Sequence, residues 1–250
     1  MPLNSSGETI LTIPISLRRI LFSNKFNLAF RVVFLLLALG VMPNLAPVAW
    51  AENQVFEAAQ KMKNSYRRIE NYSSKVEQIY FTNNEEEERY LFSYSFRKPD
   101  KIRVDFLEPH SGLSVFYRKG EEEAVIRPFP SLPFLKFRIS IENSLIKTPT
   151  GQRLNQTDME YFIDFLFRNL AAVPQKDHQF QEEKDQVHFL FWAKDYVQGG
   201  EAEKYRIFLS RQNWFPVRIE RYSPQGAPIE FSTIQDYVFN RQLGSNRFSP

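Results

Sequence analysis

The sequence predicts one α+β domain, a barrel or strongly curved antiparallel sheet of about ten strands whose concave face is covered or plugged by two helices. Three observations predict it. Short segments of period-two apolar and polar alternation recur from Ser73 to Phe239, as half-buried strands require. Turn signals separate them at regular intervals, among them Asn83-Asn84, Lys98-Pro99-Asp100, Lys119-Gly120-Glu121 and Ser223-Pro224-Gln225-Gly226. Only two stretches carry helical spacing, and no internal repeat or linker divides the chain.

In chain order, the first 51 residues read as an export leader. Arg18, Arg19, Lys25 and Arg31 precede the apolar run Val32 to Met42, which is too short to span a bilayer, a task for roughly 20 residues. Ala49 and Ala51 then give an A-x-A pattern, so cleavage after Ala51 and a mature domain of residues 52–250 are expected. An uncleaved anchor is the alternative, against which Pro43 and Pro47 argue. With no Cys in the sequence, lipid anchoring, disulfides and thiolate chemistry are excluded.

From Glu52 a first helix is expected up to Asn71, with Val55, Ala59, Met62, Tyr66 and Ile69 on one stripe. A strand from Ser73 to Phe81 follows, and Asn83-Asn84 with Glu85 to Glu88 forms a solvated hairpin tip. Tyr90 to Arg118 is the organising stretch. Phe92, Tyr94 and Phe96 alternate with Ser93, Ser95 and Arg97, and Ile102, Val104 and Phe106 alternate with Lys101, Arg103 and Asp105. Leu113 to Arg118 and Ala124 to Pro128 are the next strands. The stretch Phe129-Pro130-Ser131-Leu132-Pro133-Phe134-Leu135 is too rich in proline for a central strand. It is either a lid over a cavity or a loop tucked against the core.

A second helix is expected between Thr157, which has capping-box spacing to Glu160, and Pro174. It is apolar around most of its circumference, with Glu160, Asp164 and Arg168 on one narrow stripe, so it is buried on several sides. Val187 to Trp192, Lys204 to Leu209, Trp214 to Tyr222 and Ala227 to Phe239 are the closing strands, the first two joined at Gln198-Gly199-Gly200. The polar tail after Asn240 is expected to fray.

Charge and chemistry narrow the function. The net charge of +3 resides entirely in the leader, whose four basic residues face one acidic; the remainder carries 28 of each and offers no footprint for nucleic acid. Of the three histidines, His110 falls in a turn and His188 in a strand, and there is no HExxH, GxSxG or phosphate-loop motif. An enzyme is therefore not expected, nor a cofactor or metal. The 24 Phe, 11 Tyr and 3 Trp supply instead the material of a core or an apolar pocket.

The run Phe96-Arg97-Lys98-Pro99-Asp100-Lys101-Ile102-Arg103 resembles the arginine–proline turn and arginine-bearing strand of the LolA/LolB-like superfamily of periplasmic lipoprotein carriers. Pro109, Gly120 leading to Arg127-Pro128, Phe215-Pro216-Val217-Arg218-Ile219, Gly226 and Phe239-Asn240 follow in the same order, so the similarity covers most of residues 53–240. The proline-rich 129–135 stretch and the segment up to Thr157 depart from the pattern. The resemblance implies an unclosed, half-open antiparallel β-barrel whose helix-covered concave side holds acyl chains. It implies a monomeric periplasmic carrier of lipoproteins or another lipophilic cargo, with an inner-membrane donor and an outer-membrane acceptor. An envelope sensor or adaptor using the same cavity is the alternative.

Burying roughly 14–16 methylenes at about 0.8 kcal/mol each gives a gross gain of about 12 kcal/mol per chain, enough for useful affinity after ordering costs. Phe92, Tyr94, Phe96, Ile102, Val104, Phe106, Phe162, Phe165 and Leu166 are the candidate lining; for any one of them, ordinary core packing is the simpler role. Arg97 and Arg103 are candidates to hold a lid or meet a headgroup, although the alternation sets Arg103 opposite Ile102 and Val104 and favours a solvent-facing role for it.

Overall fold

The computed structural model describes residues 46–173, 179–194, 200–242 and 244–250. The leader reading for residues 1–51 falls almost wholly outside them, as do Pro174, His178 and the turn residues Gln198 and Gly199. The described residues from Val48 onward belong to one compact unit.

Helix α1 (Ala46–Arg67) begins before the expected Glu52 and ends four residues short of Asn71. Its stripe is buried: Val55, Ala58, Ala59, Met62 and Tyr66 all lie in the core. The early stop has a local cause. Lys98, from the turn after the second strand, donates its Nζ to the carbonyls of Tyr66 (2.8 Å) and Arg67 (3.3 Å) and sits over the Tyr66 ring. A cation thus satisfies the orphan carbonyls and the negative dipole end.

Eleven strands among the described residues form a single sheet: β1 (Asn71–Thr82), β2 (Glu85–Arg97), β3 (Lys101–Glu108), β4 (Ser114–Arg118), β5 (Glu123–Arg127), β6 (Phe137–Ser140), β7 (Gln179–Glu182), β8 (Gln186–Ala193), β9 (Glu203–Ser210), β10 (Pro216–Tyr222) and β11 (Pro228–Phe239). Their spatial order is β6-β5-β4-β3-β2-β1-β11-β10-β9-β8-β7. Every neighbouring pair is antiparallel, and the β1–β11 pairing joins two meanders into one continuous surface. The end strands β6 and β7 do not pair with each other, so the sheet is the unclosed half-barrel that was expected.

Four local expectations need correction. Glu85 to Glu88 begin β2; the tip is Asn83-Asn84 alone, both with positive φ (54° and 68°), as a primed hairpin turn requires. The short edge strands β6 and β7 went unseen, because four residues hold too few alternations to register as a pattern. The cap of helix α2 (Met159–Ala172) is Asp158, not Thr157: its carboxylate accepts from the backbone N–H groups of Glu160 and Tyr161, while the Thr157 hydroxyl donates to the Leu154 carbonyl. Fully buried, Asp158 is also held by Lys119 of the β4–β5 turn at 3.1 Å.

The tail is the fourth. Arg247 and Phe248 dock on the convex face: Arg247 donates to the Ser95 hydroxyl (3.1 Å), its carbonyl accepts from Arg103 (2.8 Å), and Phe248 lies under the Arg97 guanidinium.

Candidate functional site

The two faces of the sheet have different chemistry because each strand alternates. Tyr72, Ser74, Val76, Gln78 and Tyr80 of β1 point to the concave side, and the register carries that side outward to β2, β3, β4 and β5 and across to β11, β10 and β9. At one end of this concavity the space is filled. Phe96, Ile102, Phe189, Phe191, Ile207, Leu209 and Phe215 are fully or almost fully buried there, several against the stripe of α1. Tyr72 is in ring contact with Tyr94, Phe96, Phe215 and Tyr237, which ties the centre of the sheet together.

Beyond the Tyr72 cluster the wall and its cover separate. They leave a cavity of about 990 Å³ between the concave face, helix α2 and the irregular segment 144–157, at the upper end of the range of about 300–1,000 Å³ usual for ligand pockets. Its apolar lining includes Phe92, Val104, Phe106, Val115, Ile126, Leu154, Met159, Phe162 and Phe165. Helix α2 presents Phe162 and Phe165 to the cavity. Its far side is anchored by Leu166, which is fully buried, and by Asn169, which accepts from the Lys194 N–H (2.8 Å). Phe165 is held by edge contact with Phe191 and Tyr205, so this wall is a packed surface rather than a loose flap.

Of the nine residues singled out as lining, the structure brings six to the cavity wall: Phe92, Tyr94, Val104, Phe106, Phe162 and Phe165. Phe96, Ile102 and Leu166 do not reach it. Phe96 and Ile102 alternate to the cavity face but lie where the sheet is filled, and strand period says nothing about distance along the strand; Leu166 is buried on the far side of α2. Arg97 and Arg103 are on the convex face, so neither holds a lid nor meets a headgroup within the cavity. Arg103 makes a two-pronged contact with Asp105 (2.8 and 2.9 Å) and covers Phe116, both serving to seat the tail. The proline-rich 129–135 loop is likewise no lid: none of its residues lines the cavity, Pro130 packs against Gly112, and Phe134 is 78% exposed. The cover is instead the following segment, Ser144 to Thr157.

The polar part of the wall was not read from the sequence. Two adjacent cross-strand rows carry it. Glu88, Tyr80, Glu230 and Arg221 are aligned in one, and Tyr90, Gln78, Ser232 and Ile219 in the next. Only the third row, Phe92, Val76 and Ile234, is wholly apolar. Glu230 accepts from Gln78 (3.1 Å), Thr150 (3.2 Å) and Ser232 (3.3 Å), with Arg221 3.9 Å away. Burial raises the Glu230 carboxyl above its ordinary value; Arg221 and these hydrogen bonds oppose the shift without cancelling it. Arg221 is itself engaged by Glu203. The signal that could have exposed this cluster is Ser74 and Gln78 on the side of β1 that also carries Val76 and Tyr80.

His110 lines the cavity beside Phe106, whereas His188 is on the other face of β8 against Phe208, and no catalytic constellation joins them.

No family model matches the chain, and no curated protein matches it in sequence. Solved structures do match in fold. MucB superposes with a TM-score of 0.50 at 10% identity, covering 79% of this chain and 63% of MucB. A LolA superfamily protein from Nitrosomonas europaea gives a TM-score of 0.36 at 13% identity, covering 77% of this chain and 97% of the other. The Mycobacterium tuberculosis lipoprotein LppX gives 0.46 at 8% identity, covering 77% and 98%. The fold shared with MucB is an unclosed antiparallel sheet covered by helices, the architecture expected from the sequence. At these identities it is the fold alone that is shared.

Proposed function

We propose that this chain is a periplasmic carrier that takes acyl chains, of lipoproteins or of another lipid, into the concave cavity and moves them toward the outer membrane. The observation that carries the reading is the cavity of about 990 Å³ with its wall of phenylalanine and aliphatic side chains. An apolar space that large, left open in a protein otherwise packed with aromatic rings, favours an apolar occupant over water. The aromatic wall is rigid, so a chain entering it meets preformed surface and little ordering cost beyond its own. On this reading the protein binds without chemical conversion, the leader ending at Ala51 directs export, and a membrane donor and acceptor lie at either end of the route. The domain would act as a monomer.

The test is direct. The full chain is expressed with its leader, purified from the periplasmic fraction without detergent and extracted into organic solvent for mass spectrometry. Stoichiometric acyl lipid or acylated protein is the expected result. Lipid-free protein that also fails to retain added radiolabelled lipid through gel filtration overturns the reading.

A further inference from the structure

Inside an apolar cavity, each polar group needs a reason, because burial without a partner is unfavourable. The two polar rows of β2, β1, β11 and β10 lie at one end of the wall, and the segment 147–151 closes over them through the Thr150–Glu230 hydrogen bond. Their internal bonding is incomplete. The Tyr80 hydroxyl is buried beside Thr148, which is too distant or too poorly aligned to give it a hydrogen bond of ordinary geometry. Gln78 gives its amide N–H to Glu230, and among the described residues no donor meets its amide oxygen. Glu230 receives three hydrogen bonds where a carboxyl group offers about four acceptor directions.

We infer that Tyr80, Gln78 and Glu230 form a subsite for a neutral hydroxyl group at the polar end of the cargo, so that the lipid carried is a hydroxyl-bearing one. The inference rests on the carrier reading and names its substrate class. The chemistry selects the head. The open groups are one hydroxyl able to donate or accept and two acceptors, and a hydroxyl can both donate to an acceptor and accept from Tyr80. A phosphate or carboxylate head would only accept, and would meet the carboxyl groups of Glu230 and Glu88 across the row. Arg221 is no free counter-charge for it, since Glu203 already engages it. An ammonium head would only donate, so the proton of the Tyr80 hydroxyl would still lack an acceptor.

The test uses the full chain and four radiolabelled lipids with the same oleoyl or oleyl tail: 1-oleoylglycerol, methyl oleate, oleyl phosphate and oleylamine. Retention through rapid gel filtration gives each Kd. The expected order places 1-oleoylglycerol about tenfold tighter than methyl oleate, the size of one net hydrogen bond. Tyr80→Phe removes an unbonded hydroxyl, so it should keep the thermal midpoint and shrink that preference. Gln78→Leu should shrink it further. Equal retention of 1-oleoylglycerol and methyl oleate overturns the subsite, as does tightest binding of the phosphate or the amine, or a preference indifferent to both substitutions. In each of those outcomes lipid still binds and the carrier reading stands. If none of the four is retained, both fall.

Discussion

Phe96 and Phe106 sit ten residues apart on adjacent strands, on the same face, and do different work. Phe96 is completely buried between Tyr66 and Tyr72, where the sheet is filled. Phe106 lines the cavity and is in ring contact with Phe92 and Tyr90. Truncating Phe96 to alanine should therefore cost about 3–5 kcal/mol in denaturant unfolding, as a filled site that cannot collapse does. Phe106→Ala borders a space already empty, so its unfolding cost should be clearly smaller, while lipid retention falls. Equal stability losses at the two positions would contradict the division between packed and hollow regions. Glu230 supplies a prediction in pH. Its carboxyl is raised in the folded protein, so the folded state holds the proton more tightly than the unfolded one. The stability from that proton is complete below the ordinary glutamate value of 4.5 and is lost as pH rises through the higher folded value. Glu230→Gln cannot ionise. Against the natural chain, its thermal midpoint should gain steadily from pH 4.5 upward until the folded carboxyl has ionised, then run parallel.

Among elements, α2 is the most exposed to error, because it forms one wall of the cavity and touches the sheet along only part of its length. Its N-terminus is fixed by Asp158, which caps two backbone N–H groups and takes the Lys119 ammonium, itself shared with Glu160 at 2.9 Å. Asp158→Ala should cost about 1–2 kcal/mol through the lost cap, and more if Lys119 is left without its buried partner. Asp158→Asn keeps an acceptor for the cap and should recover part of the loss. Denaturant midpoints of the two variants measure this, and an alanine variant as stable as the natural chain would show that the cap is dispensable. Thr157 and Asp158 are adjacent and both suit a cap. The sequence could not choose between them because the deciding contact, with Lys119, comes from a turn 39 residues earlier.

For the molecule as a whole, the cavity makes stability depend on cargo. A ligand bound only by the folded state at a free concentration of 100 Kd adds about 2.7 kcal/mol, which for a domain of this size corresponds to a rise of about 5–10 °C in the thermal midpoint. Stripping lipid from the purified protein and adding it back should move the midpoint down and up by that amount. A midpoint indifferent to lipid would mean that the cavity stays vacant.

What the sequence determined by itself is what repeats locally. Alternation placed most strands, turn residues placed the hairpins, and the stripes of α1 and α2 announced buried helices, because those signals depend on neighbours a few residues apart. It also selected the face on which Phe92, Tyr94, Val104 and Phe106 lie. Only the tertiary structure decided where along that face the packing stops. Phe96 and Ile102 carry the same alternation signal as Phe92 and Val104, yet α1 fills the space over one pair and leaves the other pair facing a void. The polar rows, the tail drawn onto Arg97 and Arg103, and the cover from 144–157 have the same origin. Each depends on segments distant in sequence coming together, as β1 and β11 do in the polar rows, and no local pattern encodes that meeting.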